Sequence, residues 1–366
     1  MLHILNLSIT NQVIPSSWKK AIVSPIHKAG SQTDTNNYRP ISCICLPAKL
    51  LEKCVHKQLM TYLEEENLLY DHQYGFRQNR STLQAQIEFL NKVHTSLNNK
   101  DHCRAAFLDF KKAFDTVNHT ILLDKLETMG VRGLENKWFK NYLSGREQQV
   151  SINGLLSEPG IVTCGVPQGT TLGPLLFLIY INDLGRIIEH SKIQLFADDT
   201  ILYSIHKSGK QTNDNLQKDL NQVYLWCRAN KISINAGKSN TMTISFNNNR
   251  NDPDIGNLMT LGSQKLEEVA SYKYLGTEID NKLSFKGHLN KTLNRVGHKL
   301  YMLRKIRDSL TEQAARDIYK MAIMPYIDMS DILYAVGPVA KLNKLQVGTS
   351  KSGNKNYQKT TQPNKC

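Results

Sequence analysis

The sequence Leu195-Phe196-Ala197-Asp198-Asp199-Thr200 places two adjacent carboxylates between apolar segments. Apolar residues recur at every second position on both sides of the pair, at Ile193 and Leu195 before it and at Ile201, Tyr203 and Ile205 after it. An alternation of period two is typical of half-buried strands, so we predict a β-hairpin with Asp198 and Asp199 at its tip. Adjacent carboxylates repel each other unless a cation binds them, and oxygen ligands suit a hard ion such as Mg2+. For an isolated pair, a solvated turn would be the simpler interpretation.

A third carboxylate, Asp109, changes that interpretation. It ends the strand-like part of a nearly continuous apolar run, Arg104 to Phe110, which is typical of a strand buried on both faces. If this strand neighbours the hairpin, three carboxylates converge. They then form the ligand set for two divalent ions about 3.5–4 Å apart, as in enzymes that displace a phosphoryl group in line. Asp115, in the following turn, is predicted to be structural and to bind local backbone donors.

The composition indicates the class of partner. The chain has 366 residues with 46 Lys plus Arg against 32 Asp plus Glu, so its net charge is 46 − 32 = +14 and its pI is near 9.3. This balance favours nucleic acid as partner over an anionic membrane surface, because neither end of the chain carries a basic amphipathic anchor. The longest apolar run, residues 175–181, is too short to cross a bilayer. The seven Cys include no Cys-x-x-Cys pair and suggest a reducing compartment.

Four basic residues upstream are candidates for binding phosphate. Lys28 and Arg39 lie on the two arms of a predicted hairpin with a polar tip, where two facing cations suit a triphosphate. Arg77 and Arg80 lie in a loop before a helix for which Ser81 is the predicted N-cap. The second pair suits template phosphates and helix-end surface charge equally well. Taken singly, each of the first pair is interpreted as a solvated surface charge.

The segment from Gly165 to Pro174 contains three Gly and two Pro, which predicts a defined loop before a buried helix over residues 175–184. A short strand is predicted over residues 231–235, ahead of Lys238. Beyond Ser284, apolar residues at helical spacing share one long helix with many Lys and Arg. The basic face of this helix is either solvated or follows a nucleic-acid backbone.

Several of these stretches together resemble the successive motifs of reverse transcriptases, in the form found in non-LTR (jockey-like LINE) retrotransposons. The three main motifs are residues 107–115, residues 165–174 and residues 196–199. Supporting stretches are 25–28 with 38–42, 75–77 with 80–82, Asn235 with Lys238, and 274–276. The resemblance extends over roughly residues 18–337, and the ordered set is far more specific than Ala-Asp-Asp alone.

The resemblance implies an α+β right-hand polymerase. Residues 1–280 would form the fingers and the palm, an antiparallel sheet with helices, and residues 281–340 a thumb of basic helices. Residues 341–366 are predicted to be a disordered polar tail. The function implied is RNA-directed DNA synthesis for a mobile element, with an RNA template, a DNA primer, deoxynucleoside triphosphates and two Mg2+ ions, or Mn2+. An intracellular location, in the nucleus where the element integrates, is implied in the same way.

The resemblance also assigns roles to single residues. The metal ligands would be Asp109, Asp198 and Asp199, and Lys238 would donate a proton to the pyrophosphate. The nucleotide would be bound by Lys28, Arg39, Phe114, Gln168 and Gly169. The primer and template would be bound by Arg77, Arg80, Tyr274, Leu275, Gly276, Arg295 and Lys299.

Phe114 bears on the choice between DNA and RNA synthesis. The resemblance places its ring beneath the sugar of the incoming nucleotide, where a 2′-hydroxyl would be buried without a partner at a cost of about 1–3 kcal/mol. The alternative is that Phe114 belongs to the core. Two other functions stay open: an RNA-synthesising polymerase, and a truncated or inactive copy that only binds RNA. The second is suggested by the polar tail and by the lack, before Met1, of the endonuclease that such elements usually carry.

Overall fold

The computed structural model describes residues 1–245 and 258–328. The α-helices of this part are α1 Leu2–Asn11, α2 Leu46–Glu65, α3 Thr82–Asn98, α4 His119–Thr128, α5 Gly133–Leu143, α6 Leu172–Ile181, α7 Gly209–Ala229, α8 Lys286–Ile306, α9 Glu312–Ala322 and α10 Met324–Asp328. The strands are β1 Lys20–His27, β2 Tyr38–Cys43, β3 His102–Leu108, β4 Arg146–Ile152, β5 Leu155–Leu156, β6 Gly160–Val162, β7 Lys192–Phe196, β8 Asp199–His206, β9 Asn240–Ile244, β10 Thr260–Leu261, β11 Gln264–Lys265, β12 Glu267–Glu268, β13 Ser271–Tyr274 and β14 Thr277–Asp280.

The central sheet has the strand order β12-β9-β3-β8-β7. Its middle strand, β3, pairs antiparallel with both β8 and β9, and β7 forms a hairpin with β8. Residues 103–108 of β3 are all buried, as the apolar run predicted. Because successive side chains of a strand point to opposite faces, such a run requires cover on both sides of the sheet.

Two hydrophobic clusters supply that cover. One face of β3, with Ala106 and Leu108, belongs to the cluster that contains α4, α6 and α7. The other face, with Ala105 and Phe107, belongs to a cluster that contains α3, β13, β14 and α8. The strand that ends at Asp109 is therefore fixed from both sides.

A second sheet has the order β2-β1-β4-β5, with β6 also paired to β4. The predicted hairpin is formed by β1 and β2, which pair antiparallel with Ile26 opposite Arg39. The β1 strand then runs parallel to β4. The hairpin predicted around residue 275 is formed by β13 and β14.

The helix predicted after Ser284 is α8, and its apolar stripe is buried at Leu289, Val296, Leu300 and Leu303. Ile306, at the end of the predicted stripe, is 44% exposed, since the helix ends there. Residues 341–366, and the last part of the predicted thumb, lie outside the described residues.

Several elements differ from the sequence-based predictions. The helices α1 and α5 have no counterpart among them, and α6 extends from Leu172 to Ile181 instead of over the predicted residues 175–184. The segment 231–235 is not a strand: Ile234 forms an isolated bridge with Phe110, and neighbouring backbone groups bond to the end of β3. Among the described residues, none of the helices has the length and apolar character that a membrane crossing requires.

Candidate active site

The three predicted carboxylates lie at one end of the two neighbouring strands β3 and β8 of the central sheet. Asp109 follows the last residue of β3, and Leu108 pairs with Thr200 of β8. Continuing this antiparallel register by one position places Asp109 opposite Asp199. The turn between β7 and β8 contains Ala197 and Asp198, so the hairpin with its acidic tip is as predicted.

The pKa values of Asp198 and Asp199 are affected by the neighbouring carboxylates. Desolvation and the charge of Asp109 raise the pKa of Asp198, against the opposing effects of a backbone hydrogen bond and of the cations Arg39 and Lys28. Desolvation, followed by the charges of Asp198 and Asp109, raises the pKa of Asp199 to about 6. Both pKa values are raised because desolvation and the neighbouring negative charges destabilise the ionised form relative to a free carboxyl group.

A divalent cation would relieve this repulsion, and the donor set consists of carboxylate oxygens, which hard cations prefer. Within residues 1–245 and 258–328, however, no three His, Cys, Asp or Glu side chains are grouped closely enough to hold one ion. The chemistry and backbone positions of the three aspartates thus fit a divalent metal, while their side chains do not form a closed coordination shell.

The backbone of Asp109 is bound by the segment that follows α7. Asp109 N donates to Ser239 Oγ at 3.0 Å, and Asn235 N donates to Asp109 O at 2.7 Å. Lys238 lies in this same segment and is exposed. The segment therefore fixes the carboxylate strand and also brings a cation beside it.

A cavity of about 1530 Å³ opens in front of these strand ends. Eight of the predicted site residues line it, and they are Lys28, Arg39, Asp109, Phe114, Gln168, Gly169, Asp198 and Lys238. The remaining predicted residues are not among those lining it, and they are Arg77, Arg80, Asp199, Tyr274, Leu275, Gly276, Arg295 and Lys299. The structure therefore brings the predicted nucleotide-binding residues together with Lys238 and two of the three carboxylates. It leaves Asp199 and the primer and template candidates outside the lining of this cavity.

Phe114 forms a wall of this cavity. Its half-buried ring stacks on Phe177 of α6, with centroids 4.5 Å apart and planes inclined by 25°. Phe76 meets the ring edge-on at 6.3 Å. Sequence reasoning missed Phe76, which is 51% exposed in the cavity and has a φ of 56°. A usable signal was an aromatic residue placed between Gly75 and Arg77.

Gln168 is held by Asp115. Its Nε2 donates to Asp115 Oδ1 at 2.8 Å, so the prediction that Asp115 binds local backbone donors is wrong. Gly165 has a φ of +87°, and a Cβ there would lie 2.7 Å from the backbone oxygen of Asp115. The loop therefore approaches the turn after β3 closely, and only glycine fits at that point.

Arg77 does not face a template in this structure. Its Nη2 lies 2.5 Å from Glu64 Oε2, its Nη1 donates to the Tyr70 carbonyl at 2.9 Å, and its side chain is 8% exposed. The predicted phosphate contact is therefore replaced by a structural ion pair. Arg80, in contrast, is exposed, with its guanidinium 5.4 Å from the centroid of the Tyr74 ring.

The turn at residues 274–276 is presented by its backbone. The Tyr274 ring is buried, and Leu275 and Gly276 have φ values of 46° and 93°. Gln86 of α3 donates to the carbonyl oxygens of Tyr274 and Leu275 at 2.9 and 3.0 Å. Sequence reasoning missed this buried amide, which has no motif of its own.

The cations of the basic helix α8 differ in whether they contact other protein groups. Arg295 is exposed, whereas the ammonium of Lys299 lies 4.9 Å from the centroid of the Tyr326 ring. Lys291 pairs with Glu278 at 2.6 Å. The basic face is thus partly engaged with the protein itself.

A largely antiparallel sheet whose strand ends carry carboxylates, facing cations across an open cavity, fits the class of polymerase-type nucleotidyltransferases. The family described as reverse transcriptase (RNA-dependent DNA polymerase) matches residues 26–279, and the chain belongs to this family. Enzymes of this family use divalent metal ions.

Two curated relatives come from fruit-fly mobile elements. The chain is 28% identical over 355 residues to the probable RNA-directed DNA polymerase from transposon BS of Drosophila melanogaster, covering 94% of this chain and 39% of the relative. It is also 28% identical over 349 residues to the RNA-directed DNA polymerase from mobile element jockey of the same organism, covering 92% and 37%. The chain therefore spans about two fifths of the length of these relatives.

A solved structure of apo telomerase from Candida tropicalis superposes with a TM-score of 0.51 at 11% identity, over 96% of this chain and 67% of that chain. At this identity the likeness concerns the fold alone, and it agrees with the right-hand polymerase fold expected from the sequence.

Proposed function

We propose that this chain is an RNA-directed DNA polymerase of a non-LTR mobile element, which extends a DNA primer with deoxynucleotides on an RNA template. The observation that carries the proposal is the electrostatic pairing of the two sides of the cavity. Desolvation and the charge of Asp109 raise the pKa of Asp198, and the cations Arg39 and Lys28 oppose this rise. A cleft with acidic and basic sides suits a metal-bound triphosphate, which has cationic and anionic parts.

In this proposal Asp109, Asp198 and Asp199 hold two Mg2+ ions, for which Mn2+ can substitute. When bound, such ions lower the pKa of the attacking primer hydroxyl and neutralise the leaving pyrophosphate. Because the pKa of Asp199 is about 6, protons would compete with metal ions for this carboxylate just below neutral pH. The protein contributes the fixed strand end and turn that keep the three ligands on one sheet edge.

The cations on the other side bind the triphosphate. Lys28 directly follows β1 and Arg39 lies on the paired strand β2, and both line the cavity. Lys238, on the carboxylate side, lines the same cavity, which supports its proposed role of giving a proton to the pyrophosphate. Charge-assisted hydrogen bonds of this type are stronger than neutral ones.

The wall of the cavity selects the sugar. Stacking on Phe177 fixes the Phe114 ring, and the hydrogen bond to Asp115 fixes Gln168 in the loop that continues to Gly169. We place the deoxyribose against Phe114 and the base pair near Gln168 and Gly169.

The primer and template are assigned to surfaces beside the cavity. The backbone turn Tyr274–Gly276 supports the primer end, and Arg80, Arg295 and Lys299 contact phosphates. Within the right-hand polymerase fold, residues 1–280 are proposed to form the fingers and palm, and the basic helices after residue 280 are proposed to form the thumb. The relatives' mobile-element names support an intracellular, nuclear site of action.

A primer-extension assay tests this proposal. Purified chain, an RNA template, a labelled DNA primer, Mg2+ and four deoxynucleotides should give extended DNA, with Asp198→Asn as the negative control. Template binding without extension by the parent would instead favour a protein that only binds RNA. Preferred incorporation of ribonucleotides would favour an RNA-synthesising polymerase.

A further inference from the structure

A short segment before α3 lies along the outer edge of the central sheet, next to β7. Tyr74 N donates to Leu195 O at 2.8 Å, and Leu195 N donates to His72 O at 2.9 Å. Between them, Gln73 forms an isolated parallel bridge with Leu195. Residues 72–75 therefore run beside the strand that leads into the acidic turn.

The side chain of Gln73 reaches that turn directly. It is 2% exposed, and its Oε1 accepts from Ala197 N at 2.9 Å and from Gly75 N at 2.8 Å. Ala197 is the residue before Asp198, and its φ is +55°. A non-glycine residue in this left-handed region is uncommon and is maintained by its surroundings. One buried oxygen thus satisfies the N–H group at the strained position.

Gly75 shows independently how close this approach is. A Cβ on Gly75 would lie 2.3 Å from Ala197 N and 2.9 Å from the Phe196 carbonyl carbon. Both contacts are with backbone atoms, which cannot move aside as the end of a flexible side chain can. Residue 75 therefore has to lack a side chain for Gln73 to reach Ala197.

We propose that Gln73 is a positioning residue for the acidic turn, which fixes the direction in which Asp198 projects and contacts neither substrate nor metal. The inference rests on the proposed polymerase function. Because Gln73 acts on the carboxylate side alone, its loss should lower kcat without weakening nucleotide or template binding. A change affecting only the transition state has this signature.

The experiment compares three variants by single-nucleotide primer extension on an RNA template. Gln73→Met keeps the size and removes the acceptor, whereas Gln73→Glu keeps an oxygen that can accept both N–H bonds. Gln194→Met is the matched control, because Gln194 is also buried, lies on β7, and has no hydrogen-bond partner for its amide within the described part of the chain. The readouts are kcat, the KM for the nucleotide, the Kd for the primer–template, the Mg2+ concentration for half-maximal rate, and Tm.

For Gln73→Met we expect kcat to fall about tenfold to a hundredfold, as for displacements of about 1 Å. The nucleotide KM and primer–template Kd should stay within about twofold, and more Mg2+ should be needed for half-maximal rate. Gln73→Glu should lose less of kcat than Gln73→Met, because its protonated form keeps the acceptor oxygen, and Gln194→Met should resemble the parent.

Parental kcat in Gln73→Met, or equal losses in the two methionine variants, would each overturn the positioning role. If Gln73→Met does not fold, Gly75→Ala displaces the same turn, because the new Cβ would lie 2.3 Å from Ala197 N. A folded Gly75→Ala with unchanged kcat would then overturn the inference, and one with reduced kcat and parental KM would support it. An inactive parent would contradict the proposed function, which distinguishes the two failures.

Discussion

The two sides of the cavity are built in opposite ways. The carboxylate side includes the end of β3, whose residues 103–108 are buried between two hydrophobic clusters. It also includes the β7–β8 turn, which is bound by Gln73. The cation side consists of Lys28 and Arg39, both exposed on a hairpin whose tip is polar. Chemistry that needs ligands held to fractions of an ångström is thus placed on the rigid sheet. Substrate capture, which tolerates movement, is placed on the hairpin.

The largest effect should come from the rigid side. Asp198→Asn removes one ligand charge from the proposed metal pair, which stabilises the transition state by several kcal/mol, so kcat should fall about a thousandfold or more. Binding of a labelled primer–template should change little, because the cations that hold the backbone lie elsewhere. Asp214→Asn, on the exposed face of α7, is the control. Near-parental incorporation by Asp198→Asn would refute the metal-ligand assignment.

The cation side should show a different kinetic signature. Arg39→Ala removes a charge-assisted bond of about 1.5–3 kcal/mol, so the KM for the nucleotide should rise about tenfold to a hundredfold while kcat changes less. Lys20→Ala is a matched control on the same sheet, since Lys20 pairs with Glu147 and does not line the cavity. A fall in kcat equal to that of Asp198→Asn would remove the contrast between the two sides.

Phe114 lies between the two sides and should affect selectivity. Phe114→Ala opens space for a 2′-hydroxyl, so the ratio of ribonucleotide to deoxynucleotide incorporation should rise about tenfold if 1.4 kcal/mol of discrimination is lost. Competition between the two nucleotides in single-turnover extension measures this ratio. A folded variant with the parental sugar preference would assign Phe114 to the core and favour the RNA-polymerase alternative.

The acidic side should also make stability depend on pH and metal. The pKa of Asp199 is about 6 when folded, above its ordinary value of 3.8, so the folded chain retains a proton that the unfolded chain releases. This group therefore lowers the free energy of unfolding as pH rises from about 4 to about 6. Mg2+ should raise Tm more at about pH 7.5 than at about pH 5, where protons compete for the carboxylates. Asp199→Asn should reduce the metal effect, and an equal effect at both pH values would argue against this site.

Much of the site follows from local patterns in the sequence. The acidic hairpin, the apolar strand before Asp109 and the Gly-rich loop each depend on period, turn chemistry or buried runs, which neighbouring residues specify. These predictions agree with the structure because each pattern satisfies local and tertiary preferences together.

The contacts that the sequence did not reveal all join residues distant in the chain. Gln73 reaches Ala197, Gln86 reaches Tyr274, and Arg77 is neutralised by Glu64. A buried amide or ion pair has no periodicity, so its partner is determined only when the sheet and helices pack. The same reason explains why the segment 231–235 has the pattern of a strand without forming one: its alternation is real, but its backbone groups bond to the end of β3.

The smallest effect is expected on α8, where the contrast between engaged and free cations recurs within one helix. Binding of primer–template should weaken with salt, and removing the cation that binds one phosphate should reduce the slope of log K against log salt by about 0.7–0.9. Arg295→Ala should reduce the slope by about this amount, because Arg295 is exposed. Lys299→Ala should reduce it less, since its ammonium lies over the Tyr326 ring. Arg316→Ala, which removes an exposed ion pair with Glu312 on α9, should leave the slope unchanged. Fluorescence anisotropy at several salt concentrations measures all three slopes. Equal slopes for Arg295→Ala and the parent would mean that this face of α8 is merely solvated, and the nucleic-acid path would then have to follow another surface.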